Sequence, residues 1–197
     1  LSPDNGLPGW DRISGYYYPD STIAGFSHTH LSGTGAGDLY DISYMPVTLP
    51  YREAEAPLGI HSKFRHSDEE ASAGYYRVLL KDYNINVDLT ATERCGIQRY
   101  TFPKAQSAVF LNLKKAMNWD FTQDSHIEVV DSCTIQGYRF SDGWARGQRV
   151  FFRTRFSKPF RSSEIDTTAI IQDGKTIGTA YVARFNFDTT DGEEIVL

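Results

Sequence analysis

The chain has 197 residues, 40% hydrophobic and 23% charged, with a net charge of −5. That length and composition support one buried core and exclude a disordered chain. The acidic balance, with no local run of Lys or Arg, argues against a nucleic-acid partner, and no apolar run is long enough for a membrane span.

The first fifty residues are dense in Gly, Pro, Ser and Asp, and long ordered loops of this kind carry function on a rigid scaffold. Trp10 lies in Gly9-Trp10-Asp11, a loop with few strand neighbours. Stacking on a ligand and anchoring the loop are both open to it. In Tyr16-Tyr17-Tyr18-Pro19-Asp20 an extended backbone turns Tyr16 and Tyr18 one way and Tyr17 the other. Next comes Gly25-Phe26-Ser27-His28-Thr29-His30-Leu31-Ser32-Gly33-Thr34-Gly35, the most informative stretch. His28 and His30 share a face if the segment is extended, and the loop through Ser32 and Gly33 has no bulky side chain to cover them. Polar rings beside exposed backbone suit binding better than packing.

Three readings of the pair stay open. The imidazoles share a metal with a third ligand such as His61, His66 or Glu69. They hydrogen-bond a polar ligand or a neighbouring domain. Or they are structural, satisfied by backbone carbonyls. The glycines of Gly33-Thr34-Gly35-Ala36-Gly37 lack the phosphate-cradling spacing and read as a connection. His66-Ser67-Asp68-Glu69-Glu70 is an acidic knot whose spacing suits a solvated or capping loop, not a glycosidase acid–base pair.

Beyond residue 70 strand-like runs recur at short intervals: 75–81, 84–92, 96–102, 107–113, 127–130, 134–140, 148–156, 167–172 and 176–187. The best helical candidate is the short run 114–120. Asp142-Gly143, Asp173-Gly174 and Asp191-Gly192 supply the positive φ of tight hairpins, Asp173-Gly174 with the clearest flanks. Arg149, Arg153 and Arg155 alternate with Val150 and Phe152 as a sheet's wet face. Cys95 and Cys133 are compatible with a disulfide or with free thiols. These signals predict an all-β, antiparallel two-layer β-sandwich with very little helix. A single domain over 1–197 is expected, truncated at both ends because it opens without Met and closes on a running strand.

The motifs Gly9-Trp10-Asp11, Ser14-Gly15-Tyr16-Tyr17-Tyr18-Pro19-Asp20, the 25–35 stretch, His66–Ala71 with Gly74-Tyr75-Tyr76, and Arg99-Tyr100-Thr101-Phe102-Pro103 together resemble the N-terminal domain of glycoside hydrolase family 92. The resemblance implies a bacterial, calcium-dependent, inverting exo-α-mannosidase, α-1,2-specific in many members, acting on mannose-containing glycans from the periplasm or after secretion. It implies a β-sandwich packed on a C-terminal (α/α)6 catalytic barrel, absent here, that supplies the acid, the base and most calcium ligands. Trp10, Tyr16, His28, His30, Ser32 and Gly33 are then pocket or domain-interface residues, with no catalytic or metal-ligating residue in this chain. A free-standing carbohydrate-binding module and a cupin-like metal enzyme are the alternatives.

Overall fold

The computed structural model describes residues 1–4, 15–30, 39–52, 59–116 and 119–197. A six-stranded sheet runs β1 (Ser2–Asp4), β3 (Gly25–Ser27), β4 (Ser43–Thr48), β10 (Ala105–Asn112), β15 (Lys175–Thr189), β14 (Ser162–Gln172). A five-stranded sheet runs β16 (Glu193–Val196), β9 (Gly96–Phe102), β8 (Ile85–Ala91), β7 (Tyr75–Leu80), β6 (Glu69–Ser72). The third sheet has three strands, β11 (Phe121–Val129), β12 (Thr134–Asp142) and β13 (Gln148–Arg155), and a short pair joins β2 (Thr22–Ile23) to β5 (Ser62–Lys63). Every pairing is antiparallel. The predicted β-sandwich is what forms.

Alternation in the sequence becomes alternation in burial. In β8, Ile85, Val87 and Leu89 turn inward; they meet Val78 and Leu80 of β7 and Tyr100 and Phe102 of β9 in one apolar cluster. That cluster continues into Phe26, Tyr44, Val109, Leu111, Phe185 and Phe187 of the six-stranded sheet, so the core lies between the two larger sheets. Strands β4 and β10 each carry an unbroken run of five buried residues, as central strands covered on both faces do.

The small sheet is joined to the larger one by side chains. At its far end β15 runs past β10, and beyond the Leu113 N–H bond to Tyr181 C=O the Thr179 backbone and the Tyr181 amide have no β10 partner. The Asp124 carboxylate accepts from Thr179 N–H at 2.9 Å, and Ser125 Oγ donates to Thr179 C=O at 3.1 Å and accepts from Tyr181 N–H at 3.0 Å. Gly178 permits this crossing, since a Cβ there would stand 2.0 Å from the Gln123 carbonyl oxygen.

Three local expectations need correction. Residues 113–116 form no helix, the chain bending at 113–114 with the Asn112 side chain accepting from the Lys114 and Lys115 amides; Met117 and Asn118 lie outside the described residues. Asp142-Gly143 is no two-residue hairpin: the β12–β13 link runs through 143–147, and the Asp142 carboxylate accepts from Gly147 N–H at 2.5 Å. Asp191-Gly192 carries the chain from one sheet to another, because β16 pairs with β9 and not with β15. Asp173-Gly174 does close the β14–β15 hairpin, with φ of +50° and +74° and Gln172 opposite Lys175. Cys95 and Cys133 are both free thiols.

Candidate functional site

His28, Thr29 and His30 follow β3 as one leg of a hairpin. The other leg is 39–42, joined to it by the bridge between His30 and Leu39 and by Tyr40 N–H donating to Thr29 C=O at 3.1 Å. The connecting residues 31–38, and with them Ser32 and Gly33, lie outside the described residues, as does Trp10. On the returning leg Leu39, Tyr40 and Ile42 adopt φ of +78°, +71° and +55°. Bulky side chains pay of order 1–3 kcal/mol each for that region, so surrounding contacts must hold the leg in place.

Those contacts are buried and charged. Thr29 Oγ1 donates to Asp41 Oδ2 at 2.5 Å and accepts from the Asp41 amide at 3.1 Å. Asp41 Oδ1 in turn meets Arg139, a fully buried guanidinium that also grips Asp120 and reaches Thr122 Oγ1 at 3.0 Å. Burial pushes the Asp120 carboxyl up, against the pull of Arg139 and Ser141. Such a site is costly to desolvate and is tolerated because each charge has a partner.

His30 belongs to a second buried cluster. Ser27 Oγ donates to Asp4 Oδ1 at 2.7 Å, Ser43 Oγ donates to Asp4 Oδ2 at 3.0 Å, and Lys115 Nζ lies 3.3 Å from Asp4 Oδ2. His30 Nε2 stands 2.8 Å from Ser27 Oγ and 3.2 Å from Asp4 Oδ1. Ser27 spends its proton on Asp4, so Nε2 must carry the hydrogen and donate. Burial raises the Asp4 carboxyl, but Lys115, His30 and Ser27 outweigh it and hold it at about 2. Gly15 lies beside this ring: a Cβ there would be 2.8 Å from Ser2 Oγ and 3.0 Å from His30 Cδ2.

His28 has other neighbours. Its Nδ1 donates to the Ile42 carbonyl at 2.9 Å, and its ring is perpendicular to Tyr44 and close beside Gly96, where a Cβ would come within 2.4 Å of it. Burial holds the imidazole below its usual value, so it is neutral at neutral pH. It lines an open groove of about 670 Å³ between the β8–β9 turn and β13, with Cys95, Phe151 and Arg153 among the walls. The two histidines, one turn of strand apart, thus serve different partners.

A third cluster gathers around Glu69, in the segment read as a solvated or capping loop. For Glu69 the solvated reading is corrected: its side chain is 11% exposed and accepts from Tyr16 OH and Tyr76 OH, both at 2.8 Å, and from His66 Nδ1 at 2.5 Å. Its two lone-pair-rich oxygens are satisfied by groups from three separate segments. Burial and the adjacent Glu69 push both phenols up. Tyr16 is therefore half-buried with its hydroxyl engaged, whereas Tyr18, exposed on the surface, stacks on His66 with centroids 4.1 Å apart and planes 6° apart. His66-x-x-Glu69 flanked by aromatics was the one available signal, and nothing in it reports burial. The wet face of β13 is as expected for Arg149, Arg153 and Arg155, but Phe151 shares it.

The described carboxylates do not make a calcium site. Calcium asks for six to eight oxygens around one centre. Asp4, Asp41 and Asp120 each face a cation, Glu69 is filled by donors, and among the described residues no three His, Cys, Asp or Glu side chains converge on a metal position.

The model of the glycosyl hydrolase family 92 N-terminal domain matches residues 1–197. The chain belongs to that family. A family GH92 α-mannosidase from Bacteroides thetaiotaomicron, solved in complex with mannoimidazole, superposes with a TM-score of 0.86 at 30% identity, over 98% of this chain and 27% of its own. A family GH92 inverting mannosidase from the same species gives a TM-score of 0.73 at 21% identity over 98% of this chain and 26% of its own. The GH92 glycosyl hydrolase ccman5 gives 0.70 at 23% over the whole chain and 29% of its own; at these lower identities the likeness concerns the fold. No curated protein matches. The chain thus spans about a quarter of the length of the solved relatives. Among its described residues no helix is long and apolar enough to cross a membrane.

Proposed function

We propose that this domain is the N-terminal portion of a calcium-dependent, inverting exo-α-mannosidase acting on α-1,2-linked mannose of mannose-containing glycans, in the periplasm or after secretion. The observation that carries the reading is the family match over the whole chain together with the likeness to the mannoimidazole-bound α-mannosidase. The domain contributes to the mannose pocket and the interface to a catalytic domain through Trp10, Tyr16, His28, His30, Ser32 and Gly33. Rigid anchoring of Thr29 and His30 by buried carboxylates supports this, because a loop that aligns a sugar must be held at its base. Inversion needs an acid and a base roughly 6.5–9.5 Å apart around the sugar. Both carboxyls, and most of the calcium ligands, come from the remaining polypeptide.

The test is to express the polypeptide that carries this domain with its natural continuation and follow mannose release from α-1,2-mannobiose by NMR. Release of β-mannose as the first product, abolished by a chelator and restored by calcium, is expected. No release, or α-mannose first, overturns the reading. Tight mannobiose binding by residues 1–197 alone would instead favour a free-standing binding module.

A further inference from the structure

The outward face of Tyr18 is the best-prepared ligand surface among the described residues. Tyr18 is 65% exposed although the parallel His66 ring stacks on one of its faces, which leaves the opposite face for a ligand. Exposed tyrosines usually sample several rotamers, and ordering one on binding costs roughly 0.5–1.5 kcal/mol. Here that cost is met in advance. His66 is fixed by a perpendicular ring contact with Phe64, centroids 5.5 Å apart, and by its Nδ1 bond to Glu69. Glu69 is fixed by Tyr16 and Tyr76, whose rings also meet edge to face at 6.1 Å. The run Tyr76–Glu69–His66–Tyr18 is one chain of contacts ending in a flat apolar surface.

His66 adds a polar feature at the edge of that surface. Its Nδ1 faces a carboxylate and carries the hydrogen, so in the neutral ring Nε2 holds a lone pair. The side chain is 35% exposed. A rigid aromatic face beside a hydrogen-bond acceptor suits a ring with C–H groups on one side and hydroxyls around its rim. That chemistry is a hexopyranose.

We infer that Tyr18, held by His66 and Glu69, is a stacking platform for a sugar unit of the glycan other than the one being cleaved off. The inference rests on the mannosidase reading and deepens it by moving sugar contact from Tyr16, whose hydroxyl is occupied, to Tyr18. Tyr18 touches the ligand; His66 and Glu69 are positioning residues.

The experiment uses the full polypeptide and two substrates, p-nitrophenyl α-mannoside, with a single sugar, and α-1,2-mannotriose. The readout is the ratio of kcat/KM for the trisaccharide to that for the aryl mannoside. Loss of one stacked ring is expected to lower that ratio about tenfold in Tyr18→Ala, through KM of the trisaccharide. Tyr18→Phe, which keeps the face, stays within about twofold, and His66→Ala, which removes the backing ring, lowers the ratio as well. An unchanged ratio in Tyr18→Ala overturns the inference, whether both substrates keep their rates or lose them in equal proportion. So does a Tyr18→Phe variant as impaired as Tyr18→Ala. If the unmodified polypeptide cleaves neither substrate, it is the mannosidase reading that fails.

Discussion

At the scale of single residues, buried carboxylates decide what the loop-bearing histidines can do. Asp4 is the clearest case. Burial pushes its carboxyl up, Lys115, His30 and Ser27 pull harder, and the folded value of about 2 lies below the ordinary 3.8. A carboxyl depressed on folding stabilises the native state above its unfolded value and loses that contribution as the pH falls through the folded one. The window therefore runs from near 4 down to about 2. Urea unfolding of the wild type across this window should lose about 2 kcal/mol attributable to this group. Asp4→Asn, already destabilised at neutral pH because the partly buried Lys115 loses its carboxylate and keeps only the Ala24 carbonyl, should lack that loss; an identical acid slope in the variant would refute the assignment. His28 responds in the same direction for a different reason: burial lowers its value, so protonation below its usual 6.5 works against the fold.

Strands and turns were legible in the sequence wherever one local rule governs them. Asp173-Gly174 closes its hairpin because the two residues that tolerate positive φ sit where a two-residue turn requires it in both positions. Asp142-Gly143 carries the same letters yet makes a longer loop, because the Asp142 carboxylate is spent on the Gly147 amide and on Gln123 Nε2. The crossing of β11 over β15 was not legible. It depends on Gly178, which reads in sequence as an ordinary weak point in a strand. In Gly178→Ala the new methyl meets the Gln123 carbonyl, so the strands must part and the Asp124 and Ser125 bonds to β15 lengthen. A loss of about 3 kcal/mol by chemical denaturation is expected, with faster hydrogen exchange at Thr179 and Tyr181. Wild-type exchange at those two amides would remove Gly178 as the hinge of that contact.

For the molecule as a whole, one apolar cluster spans the two large sheets and needs no covalent clasp. Cys95 is exposed and Cys133 half-buried, both unpaired. A thiol reagent should therefore titrate two groups per unfolded chain, Cys95 reacting first in the folded one, and a reductant should leave the unfolding midpoint unchanged; finding no free thiol would contradict the structure. The primary sequence by itself determined the strand periodicity, the all-β class and the family, since period-two patterning and an eleven-residue motif are local quantities. Only the tertiary structure decided which groups meet. His30 finds Asp4 across 26 positions, Tyr16 finds Glu69 across 53, and Arg139 finds Asp41 across 98. Whether Tyr16 or Tyr18 faces the solvent, and whether Glu69 is wet or buried, follows from those long-range pairings. A linear pattern records which face of a strand a side chain occupies, and not what another segment brings to that face.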